Sequence, residues 1–229
     1  KQLTKSKQKL DIFEFVYFSR PDSNLLGQSV YDVRKNFGIE LAKEHPLIAD
    51  VVIPVPETAI PVAIGYASAT GIPFEMGLIK SRYIHRTFIE PEQHIREQGV
   101  KLKLTPLHSA IKNKRVVVVD DSIVRGTTSS KIVRLLKEAG AKEIHMRIAS
   151  PPIIGSCYYG VDTPSPEELI SNRLNVEEIR DFIGCDSLAF LPLDSLRKFL
   201  GGESRNFCYA CFSGKYPIEP TELKVKRVG

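Results

Sequence analysis

Short apolar runs alternate along the chain with stretches in which apolar residues recur at helical spacing. The short runs predict β-strands at residues 12–18, 51–55, 74–78, 115–119, 143–148 and 187–191. Several of these runs are apolar on both faces and rich in β-branched residues, which is typical of strands covered by helices on both sides. The periodic stretches predict helices at residues 29–43, 58–70, 128–139, 166–170, 176–182 and 193–200. This alternation indicates an α/β fold with a mostly parallel, twisted sheet flanked by helices.

Two regions interrupt the alternation. Residues 80–107 are charged and weakly periodic, and a connection of that length inside a compact domain is usually functional or mobile. We therefore expect a flexible lid there. From residue 201 the chain becomes polar and carries the stretch FCYACF. We expect a domain at residues 12–200, followed by a cysteine-bearing C-terminal extension at residues 201–229.

Composition narrows the class of protein. Of 229 residues, 42% are hydrophobic and 26% are charged, which is usual for globular proteins. No apolar run approaches the roughly 18 residues of a membrane span, and the first ten residues lack the apolar centre of a signal peptide. The net charge of +5 comes from scattered lysines and arginines, which suits anionic small substrates better than nucleic acid. We expect a soluble, cytoplasmic protein that binds neither membranes nor nucleic acid.

The stretch VVVVDDSIVRGTTSS at residues 116–130 carries the strongest chemical signal. Ligands of open α/β sheets bind beyond the carboxyl ends of the strands, where Asp120 and Asp121 stand. Two carboxylates there suit diol hydroxyls, Mg²⁺ or both. The turn that follows, 125–129, offers N–H groups and hydroxyls to an anion as it enters a helix. Together they predict a ribose 5-phosphate site, although a strand that ends in a turn with Asp as turn former stays open.

This stretch closely resembles the phosphoribosyl pyrophosphate (PRPP) binding motif of type I phosphoribosyltransferases. The resemblance implies the type I phosphoribosyltransferase fold. It also implies that the acidic pair holds the ribose hydroxyls and helps to organise Mg²⁺, while the next loop holds the 5-phosphate. The substrate-binding residues implied here are Asp120, Asp121, Ser122, Arg125, Gly126, Thr127, Thr128 and Ser129.

Within that superfamily, residues 12–217 resemble the transferase domain of glutamine PRPP amidotransferases. The resemblance rests on FEFVYFSRPDS, VVIPVPETAIPVAIGYA, LIKSRYIHRTFI, DDSIVRGTTSSKIVRLLKEAGAKEIHMRIASPP and FCYACFSGKYP. It implies a glycosyltransferase that adds ammonia to C1 of PRPP and releases pyrophosphate. The product would be 5-phosphoribosylamine, in the first step of de novo purine synthesis. It further implies a homo-oligomer that purine nucleotides inhibit.

The resemblance assigns further residues to this reaction. Glu57 and Thr58 would lie in the pyrophosphate-binding loop, and Thr58 would join Asp120 and Asp121 at Mg²⁺. Cationic and phenolic side chains of the lid would meet the pyrophosphate as catalytic residues: Lys80, Arg82, Tyr83, Arg86 and Lys103. Electrostatic stabilisation and positioning can supply most of the catalysis, so no general base is required. For any single lid residue, a solvated basic loop remains the simpler alternative.

The cysteines raise the question of an iron–sulfur cluster. Cys157, Cys208 and Cys211 stand where cluster-bearing members of the family place three ligands of a [4Fe–4S] cluster. The family's fourth ligand position holds Asp11, a harder donor than a thiolate. Cys185 is expected to be a small buried residue rather than a replacement ligand. Zinc and four free thiols stay open as alternatives, because some relatives carry no cluster.

The resemblance covers only a transferase domain. Enzymes of that family begin with a glutaminase domain whose N-terminal cysteine attacks glutamine, and no cysteine precedes Cys157 here. We therefore expect ammonia to arrive free or from a glutaminase domain or subunit. Two rival functions are a non-catalytic PRPP-binding regulator of purine genes and a salvage base phosphoribosyltransferase. The regulator would need a DNA-binding domain and no lid, and the salvage enzyme would not be expected to end in FCYACFSGKYP.

Overall fold

The computed structural model describes residues 8–80, 104–200 and 206–220. In chain order the strands are β1 (Leu10–Asp11), β2 (Asn24–Leu25), β3 (Gln28–Ser29), β4 (Val51–Pro54), β5 (Leu78–Lys80), β6 (Leu104–Pro106), β7 (Arg115–Asp120), β8 (Glu143–Ile148), β9 (Ser187–Phe190) and β10 (Phe207–Cys208). The α-helices are α1 (Val30–Glu44), α2 (Ile60–Thr70), α3 (His108–Ile111), α4 (Thr127–Glu138), α5 (Val176–Ile183), α6 (Leu193–Lys198) and α7 (Ala210–Ser213).

The centre of the fold is a parallel sheet in the order β4-β7-β8-β9. Its middle strand β7 is buried on both faces. Val117 and Val119 pack into a core with α1 and α2, whereas Val116 and Val118 pack into a second core with α4 and α5. Four consecutive valines thus satisfy two apolar layers at once, which explains why this strand shows no polar alternation. The predicted strands 51–55, 115–119, 143–148 and 187–191 are confirmed.

Helices α1 and α2 cover one face of the sheet at close range. A Cβ atom added at Gly38 would lie 1.9 Å from the carbonyl oxygen of Val62, and one at Gly65 would lie 2.0 Å from that of Lys35. Only glycine allows two helix backbones to approach in this way, so the crossing of α1 over α2 is fixed by sequence. The predicted helices 29–43, 58–70, 128–139, 176–182 and 193–200 are confirmed with small shifts at their ends.

Three predicted elements are wrong. Residues 12–18 do not form a strand but lead into a π-helix at Glu14–Phe18, because burial of Phe13, Phe15 and Val16 gives the segment no period-2 pattern. Residues 74–78 form only a bridge from Phe74 to Val52 before β5 begins at Leu78. Residues 166–170 form two short 3₁₀ turns, Pro166–Glu168 and Ile170–Asn172, because the backbone between them is extended.

Residues 206–220 pack against the beginning of the described chain. Strand β10 pairs in parallel with β1, so that Asp11 stands opposite Cys208. The rings of Phe13 and Phe212 stack with centroids 5.7 Å apart, and Phe207, Tyr209 and Phe212 join the core beneath α1 and α2. The division into a domain at 12–200 and an extension at 201–229 stays a prediction. Within the described ranges, no helix combines the length and apolarity needed to cross a membrane.

Candidate active site

A cavity of about 520 Å³ opens beyond the carboxyl ends of β4 and β7. Lys80, one of the predicted catalytic residues, lines it. So does every substrate-binding residue that the sequence predicted: Glu57, Thr58, Asp120, Asp121, Ser122, Arg125, Gly126, Thr127, Thr128 and Ser129. The topology explains this convergence, since the loops after neighbouring parallel strands meet at one edge of the sheet. Their roles remain predictions, but the structure brings them together.

The acidic pair is the most strongly perturbed part of the cavity. Asp120 ends β7 and is 8% exposed, and its Oδ1 accepts a 2.9 Å hydrogen bond from the Asp121 backbone N–H. Burial raises the pKa of Asp120 well above its ordinary value, and the neighbouring Asp121 charge raises it further. Burial also raises the pKa of Asp121 to about 6, opposed by the Ser122 hydroxyl and by Arg34. The charges of the buried Asp120 and the part-buried Asp121 are therefore only partly compensated, and a cation or hydroxyl donors would stabilise them further.

The loop after the pair is shaped for an anion. Gly126 precedes α4 with φ of +76°, and among the described residues no side chain caps the first N–H groups of that helix. Exposed N–H groups at a helix N-terminus attract phosphate. A Cβ atom at Gly126 would lie 2.6 Å from Ile170 Cδ1 and 3.1 Å from Phe182 Cε1. The turn thus needs glycine both for its backbone conformation and for its packing.

Arg125 lines the cavity, but its guanidinium forms an ion pair with Glu168, which does not line it. One terminal nitrogen lies 2.9 Å from Glu168 Oε1, and both side chains are about half exposed. The same segment is tied to the loop by a hydrogen bond from the Ile170 N–H to the Val124 carbonyl at 2.9 Å. Solvent screens an exposed ion pair, so an incoming phosphate can compete for Arg125.

The loop after β4 forms another side of the cavity. The Val55 N–H donates to the Val119 carbonyl at 2.8 Å, which ties this loop to the strand of the acidic pair. The peptide bond between Pro56 and Glu57 is cis. Lys80 ends β5, where it pairs with Leu104 of β6. The other predicted catalytic residues, Arg82, Tyr83, Arg86 and Lys103, lie outside the described residues.

Sequence reasoning missed part of the cavity lining. Phe13, Tyr17 and Phe18 line it, together with residues 161–164. The prediction of a strand at residues 12–18 does not assign the aromatic side chains of this segment to the site. Arg34 was also missed, although its place among Val30, Val33 and Phe37 on the buried face of α1 was a usable signal.

The cysteines divide into two groups. Cys157 donates a hydrogen bond from Sγ to Asp11 Oδ2 at 3.4 Å, and Cys208 stands opposite Asp11 in the paired strands. Burial raises the pKa values of the Cys208 and Cys211 thiols, and the charges of Asp11 and neighbouring cysteines raise them further. Cys185 lies in the other core, where burial raises its pKa to about 11. In the described ranges, no three His, Cys, Asp or Glu side chains converge to hold a single metal ion.

Comparisons with known proteins identify the family of this chain. A family model for the phosphoribosyl transferase domain matches residues 29–149. The chain is 67% identical over 218 residues to the chloroplastic amidophosphoribosyltransferase of Glycine max, covering 95% of this chain and 38% of that protein. It is 55% identical over 210 residues to the amidophosphoribosyltransferase of Bacillus subtilis (strain 168), covering 90% of this chain and 44% of that protein.

Solved structures give the same result. Glutamine PRPP amidotransferase from B. subtilis, complexed with ADP and GMP, superposes with a TM-score of 0.86 at 53% identity, covering 94% of this chain and 48% of that one. A structure described as the allosteric regulatory enzyme of purine biosynthesis gives 0.87 at 52% identity, covering 94% and 47%. The chain thus spans less than half the length of these relatives. The expected type I phosphoribosyltransferase fold and the resemblance to amidophosphoribosyltransferases are confirmed, and the chain belongs to the phosphoribosyl transferase domain family.

Proposed function

We propose that this domain transfers ammonia to C1 of PRPP, with release of pyrophosphate and formation of 5-phosphoribosylamine, the first step of de novo purine synthesis. The observation that carries the proposal is the cavity in which the buried Asp120 and its neighbour Asp121 lie beside the N-terminus of α4. Such a site recognises a diol and a phosphate held a few ångströms apart on one molecule, as in a ribose 5-phosphate. The relatives named amidophosphoribosyltransferase then favour ammonia as the acceptor.

The residues divide the substrate between them. Asp120 and Asp121 accept hydrogen bonds from the ribose hydroxyls, and the N–H groups and hydroxyls of residues 126–129 bind the 5-phosphate. The loop at Glu57 and Thr58 borders the pyrophosphate, with Lys80 supplying positive charge. Binding all three parts fixes C1 relative to the incoming nucleophile, and this positioning contributes a large share of the rate.

Magnesium fits the acidic side of this cavity. Thr58, Asp120 and Asp121 offer oxygen ligands, which Mg²⁺ prefers, and a cation there would relieve the repulsion between two neighbouring carboxylates. When bound, Mg²⁺ supplies charge stabilisation to the leaving pyrophosphate. The protein's own contribution is to hold the ribosyl group in place and to exclude water from it.

The bond changes need no general base before attack. Neutral ammonia brings its own lone pair, forms the C1–N bond on the face opposite pyrophosphate and inverts C1. The C1–O bond breaks and its electron pair leaves with pyrophosphate, whose developing charge cations of the site stabilise. The added nitrogen then loses a proton to solvent or to the departing pyrophosphate.

Other properties of the relatives enter here as proposals. We propose that purine nucleotides inhibit this protein, since the B. subtilis relative was solved with ADP and GMP. We also propose a homo-oligomer that receives ammonia either free or from a glutaminase domain or subunit. A cytoplasmic location stays a prediction, and the Glycine max relative is named chloroplastic.

A [4Fe–4S] cluster at Cys157, Cys208, Cys211 and Asp11 is the second part of the proposal. Cys157 and Cys208 meet Asp11 from distant parts of the chain, at the pairing of β1 with β10, and the charges of these three groups raise the pKa of the Cys211 thiol. In such a cluster each iron takes one protein ligand, so the donors surround it instead of converging on one point. This arrangement suits the donor set better than a single zinc ion does, and it would fasten residues 206–220 to the start of the domain.

The experiment is pyrophosphate release by the anaerobically purified protein with Mg–PRPP, supplied with ammonium or with glutamine. Release that depends on ammonium supports the proposal. Binding of PRPP without release under either condition would instead favour a PRPP-binding regulator. Release that requires a free purine or pyrimidine base would favour a salvage phosphoribosyltransferase. Asp181→Asn, on the exposed face of α5, is the matched control for carboxylate changes in the cavity.

A further inference from the structure

Arg34 is a buried cation that the proposed reaction does not use. It lies on α1, is 1% exposed, and its Nε donates to the Phe15 carbonyl at 2.7 Å. One terminal nitrogen donates to the Ser19 carbonyl at 2.9 Å and, more weakly, to the Glu14 carbonyl at 3.5 Å. Burying a guanidinium is costly because the charge loses its water. A buried arginine that binds only backbone carbonyls therefore suggests a functional role.

Those carbonyls belong to the π-helix at Glu14–Phe18 and to Ser19, the residue that follows it. This short segment carries aromatic side chains of the cavity, for Tyr17 and Phe18 are 49% and 50% exposed and both line it. The rings of Tyr17 and Phe18 pack edge to face at 5.2 Å. A helix of this kind is short and uncommon in isolation. Its shape therefore depends on external hydrogen bonds, which Arg34 supplies.

The segment that Arg34 binds and the acidic pair border the same cavity. Phe13, Tyr17 and Phe18 line it together with Asp120 and Asp121. The backbone that Arg34 holds is therefore part of the same site as the carboxylates.

We infer that Arg34 is a positioning residue of the active site. It fixes residues 13–19 so that Phe13, Tyr17 and Phe18 form an apolar wall facing Asp120 and Asp121. Such a wall keeps water away from the ribosyl centre and lets ammonia compete for it. The identity of the nucleophile rests on the proposed function, whereas the positioning of the wall does not.

The first test is structural and independent of activity. The chain contains no tryptophan, so Tyr17→Trp provides a single fluorescent reporter in the wall. Acrylamide quenching of Trp fluorescence is compared in this background for Arg34→Gln, Arg34→Lys and Arg147→Gln. Arg147 is the matched control, because it is 5% exposed and bonds the Met146 carbonyl and the Ser187 hydroxyl away from the cavity.

Arg34→Gln should raise the quenching constant at least about twofold, because the glutamine amide cannot bridge the carbonyls of residues 15 and 19. Arg34→Lys should restore part of the protection, since its ammonium can still reach one of them. Arg147→Gln should leave the quenching constant unchanged. If the quenching constant is the same in folded Arg34→Gln as in Arg147→Gln, Arg34 is not a positioning residue. If Arg34→Gln does not fold, the quenching constants of Arg34→Lys and Arg147→Lys are compared instead, and a higher constant in Arg34→Lys supports the positioning role.

The second test measures pyrophosphate release with and without ammonium in protein that keeps the natural Tyr17. Arg34→Gln should raise the KM for ammonium about tenfold. It should also increase the share of pyrophosphate release that occurs without ammonium, in which water attacks C1 to give ribose 5-phosphate and pyrophosphate. The Kd for Mg–PRPP should change less than the KM for ammonium. A loss confined to PRPP binding would overturn the inference. If no variant releases pyrophosphate, the proposed function fails, and the quenching test still decides the role of Arg34.

Discussion

The Sγ atom of Cys157 lies 3.4 Å from Oδ2 of Asp11, a contact between residues 146 positions apart in the chain. It places a carboxylate among thiols, beside Cys208 in the neighbouring strand. Burial disfavours the thiolate forms of Cys208 and Cys211, and the nearby negative charges disfavour them further. The thiols therefore stay neutral by themselves, and their ionisation to thiolates becomes favourable only if a positive centre binds them.

We therefore expect the anaerobically purified protein to contain iron and acid-labile sulfide, at about four of each per chain. Cys208→Ser should abolish both, whereas Cys185→Ser should leave both unchanged, since Cys185 lies in the other core. Asp11→Cys should slow the loss of iron in air, because a thiolate holds iron more firmly than a carboxylate does. Metal analysis and visible absorption measure these outcomes. Wild-type protein with neither iron nor sulfide would contradict the cluster.

The acidic pair should cost the ligand-free protein stability above pH 6. The pKa of Asp121 is about 6 in the folded state, above the usual value of 3.8, so the folded state binds the proton more tightly than the unfolded state. Stability from this group is therefore fully present below pH 3.8 and is lost as the pH rises to about 6. Asp121→Asn should raise the free energy of unfolding by about 1–3 kcal/mol at pH 7.5 and have little effect near pH 4.

The same substitution should act in the opposite direction on function. Asp121→Asn, and more strongly the double change with Asp120→Asn, should abolish Mg–PRPP binding because the carboxylates that accept the ribose hydroxyls and Mg²⁺ are lost. Urea unfolding at two pH values and calorimetric titration with Mg–PRPP measure the two effects. Asp181→Asn should change neither. Unaltered PRPP affinity in the double variant would show that the ligand binds elsewhere.

The contact between Gly126 and α5 makes a sharp test of the phosphate loop. Gly126→Ala combines a positive φ with a clash against Ile170 and Phe182, so it should destabilise the fold by about 1–3 kcal/mol and greatly weaken PRPP binding. Gly71 is the matched control, for its φ is +73° and a Cβ atom there would meet no atom of the described residues within 4 Å. Gly71→Ala should lower stability through its backbone alone and leave PRPP affinity intact. Equal affinity losses in both variants would mean that backbone strain, not the loop, is responsible.

Much of this site could be predicted from sequence because its signal is local. Four valines followed by Asp120 and Asp121 fix a buried strand, its carboxyl end and the turn that follows, all within fifteen residues. Residues 55–58 could be added because of the family resemblance, and the parallel strands explain why this loop reaches the same edge of the sheet. What failed depended on contacts between distant parts of the chain. Residues 12–18 have a composition that suits a strand, and only the guanidinium of Arg34, on another helix, shows why their carbonyls are used otherwise.

Glu168 is a second residue that sequence alone could not assign, since its partner Arg125 lies 43 positions away. The Arg125 guanidinium lowers the pKa of the Glu168 carboxyl, which therefore stays ionised and holds the cation at neutral pH. Glu168→Gln should release Arg125 to the phosphate and lower the Kd for Mg–PRPP by about two- to fivefold at low salt. The gain should shrink as salt rises, because ions screen the released charge. Glu177 is an exposed residue of α5, and Glu177→Gln removes an equal charge from a residue that does not pair with Arg125. This variant should leave the Kd unchanged. A Kd that rises in Glu168→Gln would instead mean that the pair holds the phosphate loop in its binding shape.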